Sequence, residues 1–128
     1  IGWAYENRTA ALRIPASRPA ARRIEHRVAG GDVNPYLMIA AVLGAAMNGI
    51  EDGTAPPAPI VGNAYVQNLP QLPTTWDAAI GTFATCAHVK RIFAAELIEN
   101  YLMTKRQEIH YMAELSDQEQ SELYLETV

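Results

Sequence analysis

Near its start the chain alternates apolar and polar positions in two short stretches. Between residues 9 and 14, Leu12 and Ile14 flank Arg13, a period of two that predicts a strand. Pro15, Ser17 and Pro19 then mark a turn. Residues 22–28 predict a second strand, with Arg23, Glu25 and Arg27 on one face and Arg22, Ile24, His26 and Val28 on the other. Gly30-Gly31 ends it. Asn34-Pro35 opens a helix, Asn34 as N-cap and Pro35 at the first helical position. The helix runs to about Asn48-Gly49 and is apolar nearly all round (Tyr36, Leu37, Met38, Ile39, Val42, Leu43, Met47), which predicts a buried helix with Met38 and Met47 in the core. Ala40, Ala41, Gly44, Ala45 and Ala46 would let neighbouring elements come close.

Residues 51–73 carry Pro56, Pro57, Pro59, Pro70 and Pro73, too many breakers for regular structure. A connection of that length is uncommon inside a compact domain and predicts packing against another domain or subunit. Thr74-Thr75-Trp76-Asp77 has the form of a capping box, and the helix it opens places Trp76, Ile80 and Phe83 on one side. A longer helix follows over residues 94–113, with Ile98, Tyr101, Leu102, Ile109 and Met112 as its apolar stripe. Ser116-Asp117-Gln118-Glu119 is a second capping box and starts the last helix. The elements add up to an α+β chain: two antiparallel strands and about four helices.

Composition narrows the class. Hydrophobic residues make up 49% of the 128 residues and charged residues 19%, a globular balance with apolar mass for one core. The net charge is -4, which argues against a nucleic-acid surface. The charge is uneven. Arg8, Arg13, Arg18, Arg22, Arg23 and Arg27 stand before residue 30 against only Glu6 and Glu25, and most acids lie after residue 90. A local cationic patch on an acidic chain suits a small anionic ligand. Cys86 is the single cysteine, so no disulfide forms within the chain, and a reducing cytoplasm is the expected setting. The apolar run over residues 35–47 is too short and too rich in alanine for a membrane span. The chain opens on Ile1 without a signal peptide, and the expectation is a polypeptide that begins well upstream.

Candidate chemistry gathers at Asn7-Arg8, Arg13 and the Arg23-x-Glu25-x-Arg27 face. A carboxylate between two guanidiniums has two uses. It pairs with them as a structural ladder, or it holds a metal ion while they hold anions. Arginine suits phosphate and carboxylate because its planar fork donates two parallel hydrogen bonds. Magnesium takes oxygen ligands of the kind Glu25 supplies. Phosphoryl transfer needs both parts, since it is mostly positioning and neutralisation of charge. Spacing alone leaves both uses open.

Several linked motifs then point one way. Asn7-Arg8-Thr9-Ala10, Arg13-Ile14-Pro15, the run from Ala21 to Arg27, and Asn34-Pro35-Tyr36-Leu37 resemble, in order and spacing, the C-terminal signature of glutamine synthetases. Tyr124-Leu125-Glu126-Thr127-Val128 resembles the family's terminus, so the likeness covers residues 1–128. The resemblance implies the C-terminal part of a catalytic domain whose larger sheet is completed by upstream strands. It implies an ATP-dependent ligase of nitrogen metabolism, in which glutamate attacks the γ-phosphate of ATP and ammonia then displaces phosphate from γ-glutamyl phosphate. It further implies that Arg8 contacts glutamate and the transferring phosphate, Arg13 and Arg23 the phosphates of ATP, and Arg27 a carboxylate of glutamate. Glu25 becomes a ligand of a divalent cation, Mg2+ or Mn2+. A cytoplasmic homo-oligomer with neither nucleic-acid nor membrane partners is implied as well. Most metal ligands would lie upstream, so the 128-residue chain is expected to be inactive alone.

Departures qualify the likeness. Ala20 stands where many members carry lysine, and the run from Glu25 to Gly30 is similar to the branch that includes γ-glutamylpolyamine ligases. The nucleophile is therefore open between ammonia and another amine. A non-catalytic relative that only binds or assembles is the remaining alternative. Tyr65 lies where some members carry an adenylylated tyrosine, but its surroundings match poorly, and an ordinary loop tyrosine is expected. His88 and His110 lack partners at ligand spacing.

Overall fold

The structure is a computed structural model that describes residues 1–127, the side chains of residues 126 and 127 excepted. The run compared with the family terminus ends on Val128, outside the described residues. The chain divides into two compact units, residues 1–33 with 53–72, and residues 34–52 with 73–128.

The first unit is built on a small sheet. β1 (Trp3–Tyr5) pairs in parallel with β2 (Leu12–Ile14), and β2 pairs antiparallel with β3 (Glu25–His26), in the order β1-β2-β3. The register sets Arg13 opposite Glu25 and Leu12 opposite His26. The antiparallel pair agrees with the sequence pattern. The second strand is far shorter than the expected 22–28, because a 3-10 turn at Pro19–Ala21 redirects the chain just before it. β1 is a third strand beside the two that the alternation marks out. Three residues are too few to show a period, and their strand state comes from the partner.

The proline-rich segment packs on this sheet. Ile60 N donates to Trp3 O at 2.9 Å, and Trp3 Nε1 donates to Pro57 O at 2.7 Å. The N-terminal ammonium donates to Pro70 O. Residues 53–72 thus form a strap along β1, irregular but for one 3-10 turn at Ala64–Val66. Its hydrogen bonds to β1 fasten it within its own unit, while Val61, Tyr65 and Val66 stay exposed. Ala4 and Ala10 are buried in this unit.

The second unit is helical. α1 (Pro35–Glu51) begins as predicted, with Asn34 Oδ1 accepting from the N–H groups of Tyr36 and Leu37. α2 (Trp76–Thr85) is capped by Thr75, whose hydroxyl accepts from Ala78 N at 3.2 Å. The cap sits one residue later than the expected box, and Ala78 at its third position has no side chain to reach back. α3 (Ala87–Ile92) follows directly and was not anticipated. α4 (Ala95–Met112) buries Ile98, Leu102 and Met112, as its stripe predicts. α5 (Asp117–Thr127) opens on the full capping box: Ser116 N donates to Glu119 Oε2 at 2.8 Å, and Glu119 N returns a bond to Ser116 Oγ at 3.4 Å.

The core of this unit is Ile80, Ile98 and Leu102, walled by Phe83, Val89, Phe93 and Ile109. α1 packs on α3 through its small residues. A Cβ on Gly44 would lie 2.6 Å from Ile92, and buried Asn48 donates to His88 O at 3.3 Å. Arg91 on α3 ties down the end of α1 by pairing with Glu51 at 2.9 Å and Asp52 at 2.7 Å. The expectation of a fully buried α1 does not hold. Tyr36, Ile39, Leu43, Met47 and Ile50 are half to mostly exposed, since α3 covers one side only. Met47 is therefore a surface residue.

Candidate functional site

β1 ends at Tyr5, and the chain turns sharply at Glu6, whose φ of 50° lies in the left-handed region. The turn brings Asn7, Arg8 and Thr9 against the strap. Asn7 is the knot of this loop. Its Nδ2 donates to Gly62 O at 2.7 Å, and its Oδ1 accepts from Thr9 N at 2.9 Å and Thr9 Oγ1 at 2.7 Å. Thr9 Oγ1 in turn accepts from Ala64 N at 2.9 Å. Gly62 has φ 77°, a conformation that a residue with a Cβ adopts only under strain. Asparagine suits this post because one side chain both donates and accepts.

The knot leaves an open cavity of about 950 Å³, lined by Tyr5, Glu6, Asn7, Arg8, Thr9 and Arg13 and by residues 59–63. Arg8 stands exposed on its wall, with no hydrogen bond or ion pair among the described residues. Behind the wall the charges alternate in a line. Glu6 Oε2 meets Arg13 Nη2 at 3.2 Å, Arg13 Nη1 meets Glu25 Oε2 at 2.7 Å, and Glu25 Oε1 meets Arg27 Nη1 at 2.7 Å. Two acids and two arginines cancel. The positive charge left over rests on the other arginines, and Arg8 is the one of these that lines the cavity.

Hydrogen bonding tunes the line. The Glu25 carboxyl is held below its ordinary range, first by the hydrogen bond from Arg27 and then by that from Arg13. The Glu6 carboxyl is lowered chiefly by the N–H of Ala16, with Arg13 adding to it. Arg13 is raised, mainly by its bond to Glu25. Both acids stay ionised at neutral pH.

The structure thus brings together Arg8, Arg13, Glu25 and Arg27 of the expected set. Arg23 stands apart, exposed and off the cavity wall, although its charge reaches Glu6. Sequence reasoning missed Glu6, Thr9 and the strap residues Gly62 and Ala64. Glu6 had left a signal, being one of only two acids among six arginines before residue 30.

A divalent cation was expected at Glu25. Among the described residues no three His, Cys, Asp or Glu side chains gather where a metal ion could be held. Glu25 moreover spends an oxygen on each of two guanidiniums. The described residues do not by themselves fit a metal. His88 and His110 likewise join no such group, and Tyr65 is exposed on the strap.

Comparison with known proteins agrees with the motif reading. The profile of the family described as glutamine synthetase, catalytic domain, matches residues 1–124. A glutamate–isopropylamine ligase of a Pseudomonas species is 39% identical over 111 residues, covering 84% of this chain and 24% of its own. A γ-glutamylethanolamide synthetase of Streptomyces coelicolor is 36% identical over 109 residues, covering 85% and 23%. A glutamine synthetase of Methanocaldococcus jannaschii is 31% identical over 116 residues, covering 84% and 26%. The chain spans about a quarter of the length of the curated relatives it matches.

Proposed function

The chain belongs to the glutamine synthetase catalytic-domain family, and from that premise we propose that it serves within a longer ATP-dependent ligase that joins glutamate to ammonia or an amine. The observation that carries this reading is Arg8, an unpaired guanidinium on a cavity whose other charges are already balanced. Such a group attracts an anion, and the reaction supplies several.

A γ-carboxylate oxygen of glutamate attacks the γ-phosphorus of ATP, and the bond to ADP breaks. The amine nitrogen then attacks the acyl carbon, phosphate leaves, and the nitrogen gives up its proton. Arg8 would bind the glutamate carboxylate and the phosphoryl group as charge shifts between them. Arg13 and Arg23 would meet the phosphates of ATP, which enters as its magnesium or manganese salt. Arg27 would hold a carboxylate of glutamate. Glu25 would give one oxygen to a divalent cation whose other ligands come from outside the described residues; as placed, it is also the counter-charge that orients Arg13 and Arg27.

An amine other than ammonia is favoured by one observation. The ligases named for isopropylamine and ethanolamide share 39% and 36% identity with this chain, and the archaeal glutamine synthetase 31%. The test is phosphate release by the full-length polypeptide with ATP, magnesium and glutamate, offered ammonia, ethanolamine, isopropylamine or putrescine in turn. Release that depends on one nucleophile supports the ligase and names its branch. A folded protein that releases none with any of them is a binding or assembly protein, and its charge line is a structural ladder.

A further inference from the structure

Glu6 has no part in the roles assigned above, yet four observations meet on it. It lines the cavity beside Arg8 and Arg13. Its φ of 50° is one that a residue with a Cβ adopts at a cost, and that glycine, asparagine or aspartate would adopt more readily. One carboxylate oxygen accepts from Ala16 N and so clamps the turn after Ile14-Pro15. The other accepts from Arg13 Nη2 at 3.2 Å.

Arg13 is the group most affected. Its side chain is 13% exposed, and its Nε is buried without a partner. Glu25 holds Nη1 from β3, and Glu6 holds Nη2 from the end of β1. Each terminal nitrogen of a guanidinium carries two N–H groups. One on each is spent on a carboxylate, and one on each remains for an anion. With Glu6 removed, the fork hangs from a single nitrogen and can swing. Backbone strain persists only where its surroundings hold it in place, and such strain clusters at ligand sites.

We propose that Glu6 is a positioning residue: it fixes the Arg13 guanidinium from the side opposite Glu25, in the orientation in which an anionic ligand in the cavity meets it. The proposal rests on the reading of Arg13 as a phosphate contact. It predicts that Glu6 acts on ligand affinity through Arg13 and touches no reacting atom.

Two variants of the full-length polypeptide test it. Glu6→Gln keeps the length and the acceptor for Ala16 N but loses the charge that faces Arg13. Glu6→Asp keeps the charge and suits the backbone better, but its carboxylate stops one methylene short. KM for ATP should rise roughly threefold to tenfold in both, the size of one ordinary net hydrogen bond, since the contact between Arg13 and ligand is loosened and not deleted, with kcat within about twofold. Crystal structures should show the Arg13 guanidinium displaced or split. An active wild type with KM unchanged in both variants overturns the proposal, as does a lowered Tm with unchanged KM. If the wild type releases no phosphate with any amine, the ligase reading falls separately. The Glu6→Gln crystal structure then decides alone: displacement of Arg13 supports the proposal, and a guanidinium that keeps its wild-type place overturns it.

Discussion

Replacing Asn7 by alanine should unfasten the loop that presents Arg8 while leaving the helical unit intact. Asn7→Ala deletes three hydrogen bonds, to Gly62 O, Thr9 N and Thr9 Oγ1. A net 0.5–1.5 kcal/mol for each would give roughly 1.5–4.5 kcal/mol. The bond to Gly62 is exposed and water replaces it readily, so the lower half of that range applies, about 2 kcal/mol. That corresponds to roughly a thirtyfold rise in local opening. Amide hydrogen exchange is the suitable assay, because it reads opening residue by residue without requiring the two units to unfold together. The amides of Thr9 and Ala64 should lose about thirtyfold in protection, the first because its own bond to Asn7 Oδ1 is gone and the second because Thr9 Oγ1, to which it donates, loses its anchor on Asn7 Oδ1. Amides of α4 should not change. Thr9→Val should act in the same direction, and the double variant should lose less than the sum of the two singles, since the residues share a bond. Protection at Thr9 and Ala64 that stays within about threefold of wild type would refute the view that Asn7 is the knot.

Three further outcomes are expected. Ile98→Ala, in the centre of the helical core and 7% exposed, should cost about 2–3 kcal/mol in urea unfolding followed by circular dichroism; a loss under about 1 kcal/mol would place the core elsewhere. Asp52 is held below its ordinary 3.8, first by the hydrogen bond from Arg91 and then by that cation's charge. A carboxyl lowered on folding contributes stability that is complete above its unfolded value and lost as pH falls through its folded value. Acidification below pH 3.8 should therefore weaken the α1–α3 junction in wild type and less so in Arg91→Gln, where carbon NMR of Asp52 should show its pKa returning upward. The 128-residue chain alone should release no phosphate from ATP with glutamate and any amine, since the described residues lack a metal-binding group. Turnover by it would show that the site is complete without further residues.

How far the sequence could be read depended on whether the signal was local. The Asn34-Pro35 helix start and the Ser116–Glu119 box were legible because each cap is formed by residues within four positions. The stripe of α4 was legible because a helix of 18 residues has turns enough to show its period. α3 escaped because it has six residues, no side-chain cap, and a shared boundary residue in Cys86 that ends α2 and starts it. The exposure of α1 escaped because an apolar circumference says what a helix could bury, not what is there to bury it. In the site, Arg8, Arg13, Glu25 and Arg27 were visible as charges at meaningful spacing. Their wiring was not. Arg13 and Glu25 pair across strands, Glu6 reaches Arg13 around a turn, and Asn7 meets Gly62 from 55 positions away.

The strap also says where the chain can change length. Its fixed points fall at Pro57, Ile60, Gly62, Ala64 and Pro70. Between Pro57 and Ala64 they come every two or three residues, so a single inserted residue there would slide Gly62 away from Asn7 and carry the wall of the cavity with it. Residues 53–56 precede the first fixed point, and 71–72 follow the last. Growth of the chain by insertion should be tolerated in those two windows and barred from the stretch between Pro57 and Ala64, so a tag or a domain grafted at residues 53–56 should leave the cavity undisturbed.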